Sequence, residues 1–90
     1  MTTMLAAARA EALFTSHLST GSHPSGDIVA EAIRDAVRAH GGVRGCAADV
    51  AFEYGDHPEM AAPRMRWALD LVHTLYGDRG PRCVGWALVA

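Results

Sequence analysis

The sequence contains no lysine, no asparagine and no glutamine. All eight basic residues are arginine: Arg9, Arg34, Arg38, Arg44, Arg64, Arg66, Arg79 and Arg82. Ten acids are interspersed among them, giving a formal net charge of -2. General affinity for nucleic acid needs a basic stripe that neutralises phosphates, and no such stripe exists here. Long apolar runs are missing too. Half of the 90 residues are hydrophobic, yet no run approaches the ~18 residues a membrane span requires. Near the start, Arg9 and Glu11 interrupt Leu5 to Phe14, where a secretory signal would keep its apolar core. These absences predict a cytoplasmic chain with no membrane partner. Cysteine is scarce: Cys46 and Cys83 fit no CxxC redox or zinc spacing, so each is expected as a lone buried thiol.

Catalytic signatures are equally thin. None of the five histidines, His17, His23, His40, His57 and His73, has another four residues away to share a helix face as a metal ligand. No Gly-rich phosphate loop follows a strand, and no nucleophile elbow occurs. Ninety residues bury one modest core, from which a catalytic cleft is hard to carve. The expectation is no enzyme, no metal and no cofactor.

What the chain does have is helical periodicity, in a single all-α domain over 1–90. Thr2 or Thr3 can cap a first helix reaching Leu18, with Leu5, Ala8, Ala12 and Leu13 on one side and Phe14 and Leu18 extending it. Residues 19–26 cluster turn formers and read as a loop. Asp27 is the expected cap of a second helix over 27–40, whose apolar side is Val29, Ile33, Ala36, Val37 and His40. Arg34 and Arg38 follow Glu31 and Asp35 by three residues, a spacing for solvated ion pairs. Gly41-Gly42 stops that helix.

The stretch Val43 to Tyr76 organises the rest. A short helix over 46–54 turns Ala47, Val50, Ala51 and Tyr54 inward. Gly55 is the expected stop, in the positive-φ conformation glycine adopts at no steric cost. Asp56 and Glu59 form a capping-box-like pair, with Pro58 in the first turn of the next helix. That helix, over 58–76, gathers Met65, Ala68, Leu69, Val72, Leu75 and Tyr76 on one arc, widened by Leu71. Its breadth predicts the central helix of the bundle. Pro63 either bends it or marks its true start. Residues 82–90 form an apolar tail in which Val84, Trp86 and Leu88 alternate, as in extended chain. The tail either packs, pairs with another copy or stays free.

Two resemblances attach to this stretch. Val50 to Pro58 resembles the middle of a helix-turn-helix DNA-binding motif: Ala51 stands at the small crossing position, Gly55 at the turn, and Val50, Tyr54 and Ala61 at apolar positions. The likeness covers about a quarter of the chain, and it implies a transcriptional regulator whose reading helix presents His57, Pro58, Glu59, Ala62, Pro63 and Arg66. Of these, only Arg66, and less directly Arg64, offers a good base or phosphate contact. Arg44 to Ala68 also resembles a stretch of short uncharacterised actinobacterial proteins, in keeping with a composition rich in Ala, Gly and Arg. That likeness implies no activity. The last four residues, Ala87 to Ala90, resemble the small apolar end of the tags that mark stalled bacterial proteins for degradation.

Trp67 stands at the border of the apolar arc between Arg64 and Arg66. It reads either as a rim residue closing the core or as an interface anchor flanked by arginines, a composition interfaces favour. Arg64, Arg66, Trp67 and Trp86 are therefore the candidate interaction surface, with Gly55, Asp56, Pro58 and Glu59 as the structural turn. The expected role is a small non-enzymatic interaction or regulatory protein. Its partner would be another protein or a second copy, paired through the last helix, Trp67 or the tail. A helix-turn-helix regulator is the alternative.

Overall fold

The computed structural model describes residues 3–77. They form four helices and, among the described residues, no strand: α1 (Met4–Thr15), α2 (Gly26–Ala39), α3 (Val43–Asp56) and α4 (Pro58–Tyr76). This is the all-α bundle the periodicities predict. The apolar tail 82–90, with Cys83 and Trp86, lies outside the described residues.

The helix boundaries follow from local chemistry, and several differ from expectation. Thr3 caps α1, its hydroxyl accepting from the Ala6 amide at 3.0 Å. The helix ends at Thr15, short of Leu18. There the Thr15 and Ser16 hydroxyls turn back to donate to the carbonyls of Ala12 (2.9 Å) and Leu13 (2.6 Å), competing with the next turn of helix. Ser25, not Asp27, caps α2 by accepting from Ile28 N at 3.4 Å. Asp27 falls in the first turn, where a negative charge suits the positive end of the helix dipole. Arg38 pairs with Asp35 at 2.6 Å; no such bond joins Arg34 to Glu31.

Gly41 and Gly42 stop α2 as expected, both at positive φ (78° and 104°). The Gly42 amide reaches back to the Val37 carbonyl at 2.7 Å, the long bond of a Schellman ending. Gly42 then also serves as N-cap of α3, so that helix starts at Val43 rather than Cys46.

The α3–α4 turn is made by a different residue from the one expected. Gly55 lies inside α3 and is not among the positive-φ glycines. Asp56 is the last residue of α3, and one residue, His57, separates the two helices. The physical cause is Pro58: its ring clashes with a helical conformation at the residue before it, so the chain breaks at His57 (φ -140°, ψ 65°). No side-chain cap bond starts α4. Asp56 and Glu59 both approach the His57 ring, at 3.3 and 3.8 Å, instead of forming a capping box. Pro58 does sit in the first turn, and Glu59 beside it complements the dipole. From Pro58, α4 passes through Pro63 without interruption and ends at Gly77 (φ 70°).

The central helix is α1, not α4. It packs against all three others, and each of the three apolar clusters contains one part of it. Ala10 and Leu13 meet Val29 of α2 and Trp67, Ala68, Leu71 and Val72 of α4. Ala12 meets Ala36 and Cys46. Phe14 meets Val50 and Ala61. A breadth of apolar arc on α4 suggested the opposite, but small side chains decide: alanines let neighbouring helices approach α1 from several sides.

Candidate functional site

Where the end of α1, the outer side of α3 and the start of α4 meet, they leave an open groove of about 590 Å³. Its floor is Phe14 and Ala61, both buried. Arg64 crosses it from α4. The Arg64 Nε donates to the Phe14 carbonyl at 2.6 Å, and Nη2 donates to the carbonyls of Ser16 (2.9 Å) and Leu13 (3.4 Å). Nη1 donates to the Thr20 hydroxyl at 2.9 Å. A helix leaves its last carbonyls without partners, and here a side chain from another helix supplies the donors. The same guanidinium lies 5.0 Å from the centre of the Trp67 ring and 5.8 Å from that of Phe14. Burial lowers the Arg64 pKa from its ordinary value, yet a guanidinium remains charged at any physiological pH.

The α3 wall carries two acids, Asp49 and Glu53, and one aromatic, Phe52. At about 100° per residue Asp49 and Glu53 lie beside the buried Cys46, whereas Phe52 lies more than roughly 100° from both Cys46 and Val50. His40 Nδ1 pairs with Asp49 Oδ2 at the upper end of the groove. Gly45 allows that approach. A Cβ there would fall on the His40 carbonyl, so only glycine lets α3 start so close to the end of α2. Beneath this junction the Cys46 thiol is fully buried, in contact with Thr15 Oγ1 at 3.6 Å and the Ala36 carbonyl at 3.8 Å.

Two apolar side chains on the lips are left in water. Phe52 is 66% exposed and Met60 is 68% exposed. No described large apolar residue other than Met4 exceeds them.

Of the expected interaction residues, Arg64 and Trp67 are in contact but neither is free to serve as an exposed anchor. Arg64 is committed to the end of α1. Trp67 is only 7% exposed and donates its Nε1–H to the Ser22 carbonyl at 2.9 Å. It closes the core against the α1–α2 loop, one of its two sequence readings. Arg66 is exposed on another side of α4, where it lines a smaller groove with Trp67, His23, Asp70 and Thr74. Trp86 lies outside the described residues. Sequence reasoning passed over Phe52, Met60 and Glu53. The signal for Phe52 was available: on the α3 wheel it falls well away from Cys46 and Val50, an aromatic on the polar side.

The helix-turn-helix positions are also mixed. Val50 and Ala61 are buried, but Ala51 and Tyr54 are exposed, and Gly55 makes no turn. Among the described residues no three His, Cys, Asp or Glu side chains gather where a metal ion could bind. No described helix is long and apolar enough to cross a membrane. No protein-family model matches the chain, and neither a curated protein nor a solved structure matches it.

Proposed function

We propose that the chain is a small non-enzymatic interaction protein that binds a protein partner, or a second copy of itself, across the α1–α3–α4 groove. One observation carries the reading: Phe52 and Met60 stand about two-thirds in water on the two lips of a groove whose floor is rigid core. Aromatic and methionine side chains are enriched at interfaces. The groove is also open at its lips. A ligand pocket buries most of its ligand, whereas here the lips themselves are solvated.

A DNA-binding role requires Arg64 and Arg66 on one face with Glu59 turned away. Arg64 instead holds the α1 carbonyls. On the α4 wheel Glu59 shares the side of Arg66, where it would repel a phosphate backbone. These placements favour the protein-binding reading over the regulator.

The test places a photo-crosslinking amino acid at Phe52 and, separately, at Ile28, which is exposed on α2 outside the groove. Irradiating native cells should give a discrete heavier adduct from position 52 and none from position 28. Absence of an adduct at 52, or the same adduct from both sites, refutes the proposal.

A further inference from the structure

We infer that the occupant of this groove is a basic amphipathic helix, one that lays apolar anchors between Phe52 and Met60 and sets arginines or lysines against the α3 wall. The inference rests on the interaction reading above and adds the chemistry of the partner.

Charge complementarity supports it. Asp49 and Glu53 line the groove with Phe52, and the exposed Asp56 and Glu59 follow at the α3–α4 turn, outside the lining. The basic groups nearby are committed, and the pairings of His40 and His57 take up Asp49 and Asp56, so Glu53 is the lining carboxylate left for a partner. Arg64 spends its donors on the Phe14, Ser16 and Leu13 carbonyls and the Thr20 hydroxyl, so its charge faces the negative end of α1. His40 is turned to Asp49, and His57 lies between Asp56 and Glu59. Glu53 has no ion-pair partner among the described residues. A docking segment thus meets the Glu53 carboxylate in a groove lined by an exposed ring, and an acidic segment would be repelled. Electrostatic pairing of this kind selects partners and speeds encounter.

The shape of the groove argues for a helix. Its walls are helices, and among the described residues no strand edge exists to which an extended peptide could add. A groove between helices suits the helix-in-groove mode with anchors at i, i+3/i+4 and i+7.

The experiment uses the full chain and a fluorescein-labelled synthetic helical peptide with leucines at those anchor positions and arginines flanking them. An analogue replaces every arginine with glutamate. Fluorescence anisotropy should show saturable binding of the basic peptide, weakened by added salt, and binding of the acidic analogue at least about tenfold weaker. Phe52→Ser should weaken the basic peptide at least about tenfold, as removal of a central aromatic does at hot spots. Glu53→Arg should weaken the basic peptide and strengthen the acidic one. Met60→Ser, read the same way, covers the case in which the Phe52 variant loses its fold by circular dichroism.

Several outcomes overturn the inference. Equal binding of both peptides does so, as does basic-peptide binding that ignores Phe52→Ser, Met60→Ser and Glu53→Arg alike. Concentration-dependent self-association abolished by Phe52→Ser would make a second copy the occupant. Basic-peptide binding that appears only after Trp86→Ala would make the chain's own residues 78–90 the occupant. If an adduct forms at position 52 in cells while the basic peptide fails to bind, this inference falls and the interaction reading stands. If no adduct forms, the interaction reading itself has failed.

Discussion

Replacing Arg64 with alanine should remove the device that closes the end of α1. The carbonyls of Phe14 and Ser16 and the Thr20 hydroxyl lose the Arg64 donors at once, while the Leu13 carbonyl keeps its bonds from Ser16. A hydrogen bond from a charged donor contributes about 1.5–3 kcal/mol when lost singly, but the values do not add for one side chain. Arg64 is only part-buried, so water can reach some of the freed carbonyls and reduce the cost. The favourable meeting of a cation with the negative end of a helix is lost as well, about 0.3–1 kcal/mol. We expect a loss of about 2–3 kcal/mol in urea unfolding with little change in m-value, and a Tm lower by roughly 10–20 °C. Arg64→Lys keeps the charge without the fork geometry and should recover less than half of the loss. A loss within ~0.5 kcal/mol for Arg64→Ala, or full recovery by lysine, refutes the reasoning.

Other substitutions separate the helix ends from one another. Gly45→Ala should destabilise by about 2–3 kcal/mol, because its Cβ falls on backbone that must move. Gly55→Ala should instead stabilise by about 0.5–1 kcal/mol, since Gly55 is helical with open space around it; chemical unfolding of both variants checks the contrast. Trp67→Phe should cost about 1–2 kcal/mol through the unpaired Ser22 carbonyl, and Trp67→Ala about 3–5 kcal/mol, both measured by thermal unfolding. Asp56→Ala should change stability by no more than ~0.5 kcal/mol, because Asp56 ends α3 and caps nothing.

Periodicity alone gave the number of helices, because each has an apolar side that must be buried. It gave α4 to the residue and the Gly41-Gly42 stop, where backbone conformation and glycine agree. The α3–α4 turn was misread, since two signals competed. Gly55 permits a left-handed turn, but Pro58 enforces a break one residue before itself, and a prohibition outweighs a permission. The centrality of α1 was hidden because alanine is weakly hydrophobic and its small size matters only against a neighbour. Arg64 shows the same limit. Spacing puts an arginine beside a tryptophan, but only the fold brings it to α1, about 50 residues away in sequence. The groove was half legible: Phe52 on the polar side of its helix was a readable sign, whereas Met60 joins it only through the turn at His57.

Under the proposed function, Phe52 and Met60 serve binding rather than folding, and removing both side chains separates the two roles. The double variant Phe52→Ser, Met60→Ser is compared with the unaltered chain for unfolding free energy and for the adduct captured in native cells by a crosslinker at Asp56, on the same side of α3. Both side chains are mostly in water, so the unfolding free energy should stay within ~1 kcal/mol of the original and the adduct should be lost. An adduct that persists undiminished, or a fold that fails without these two side chains, would contradict the proposed function.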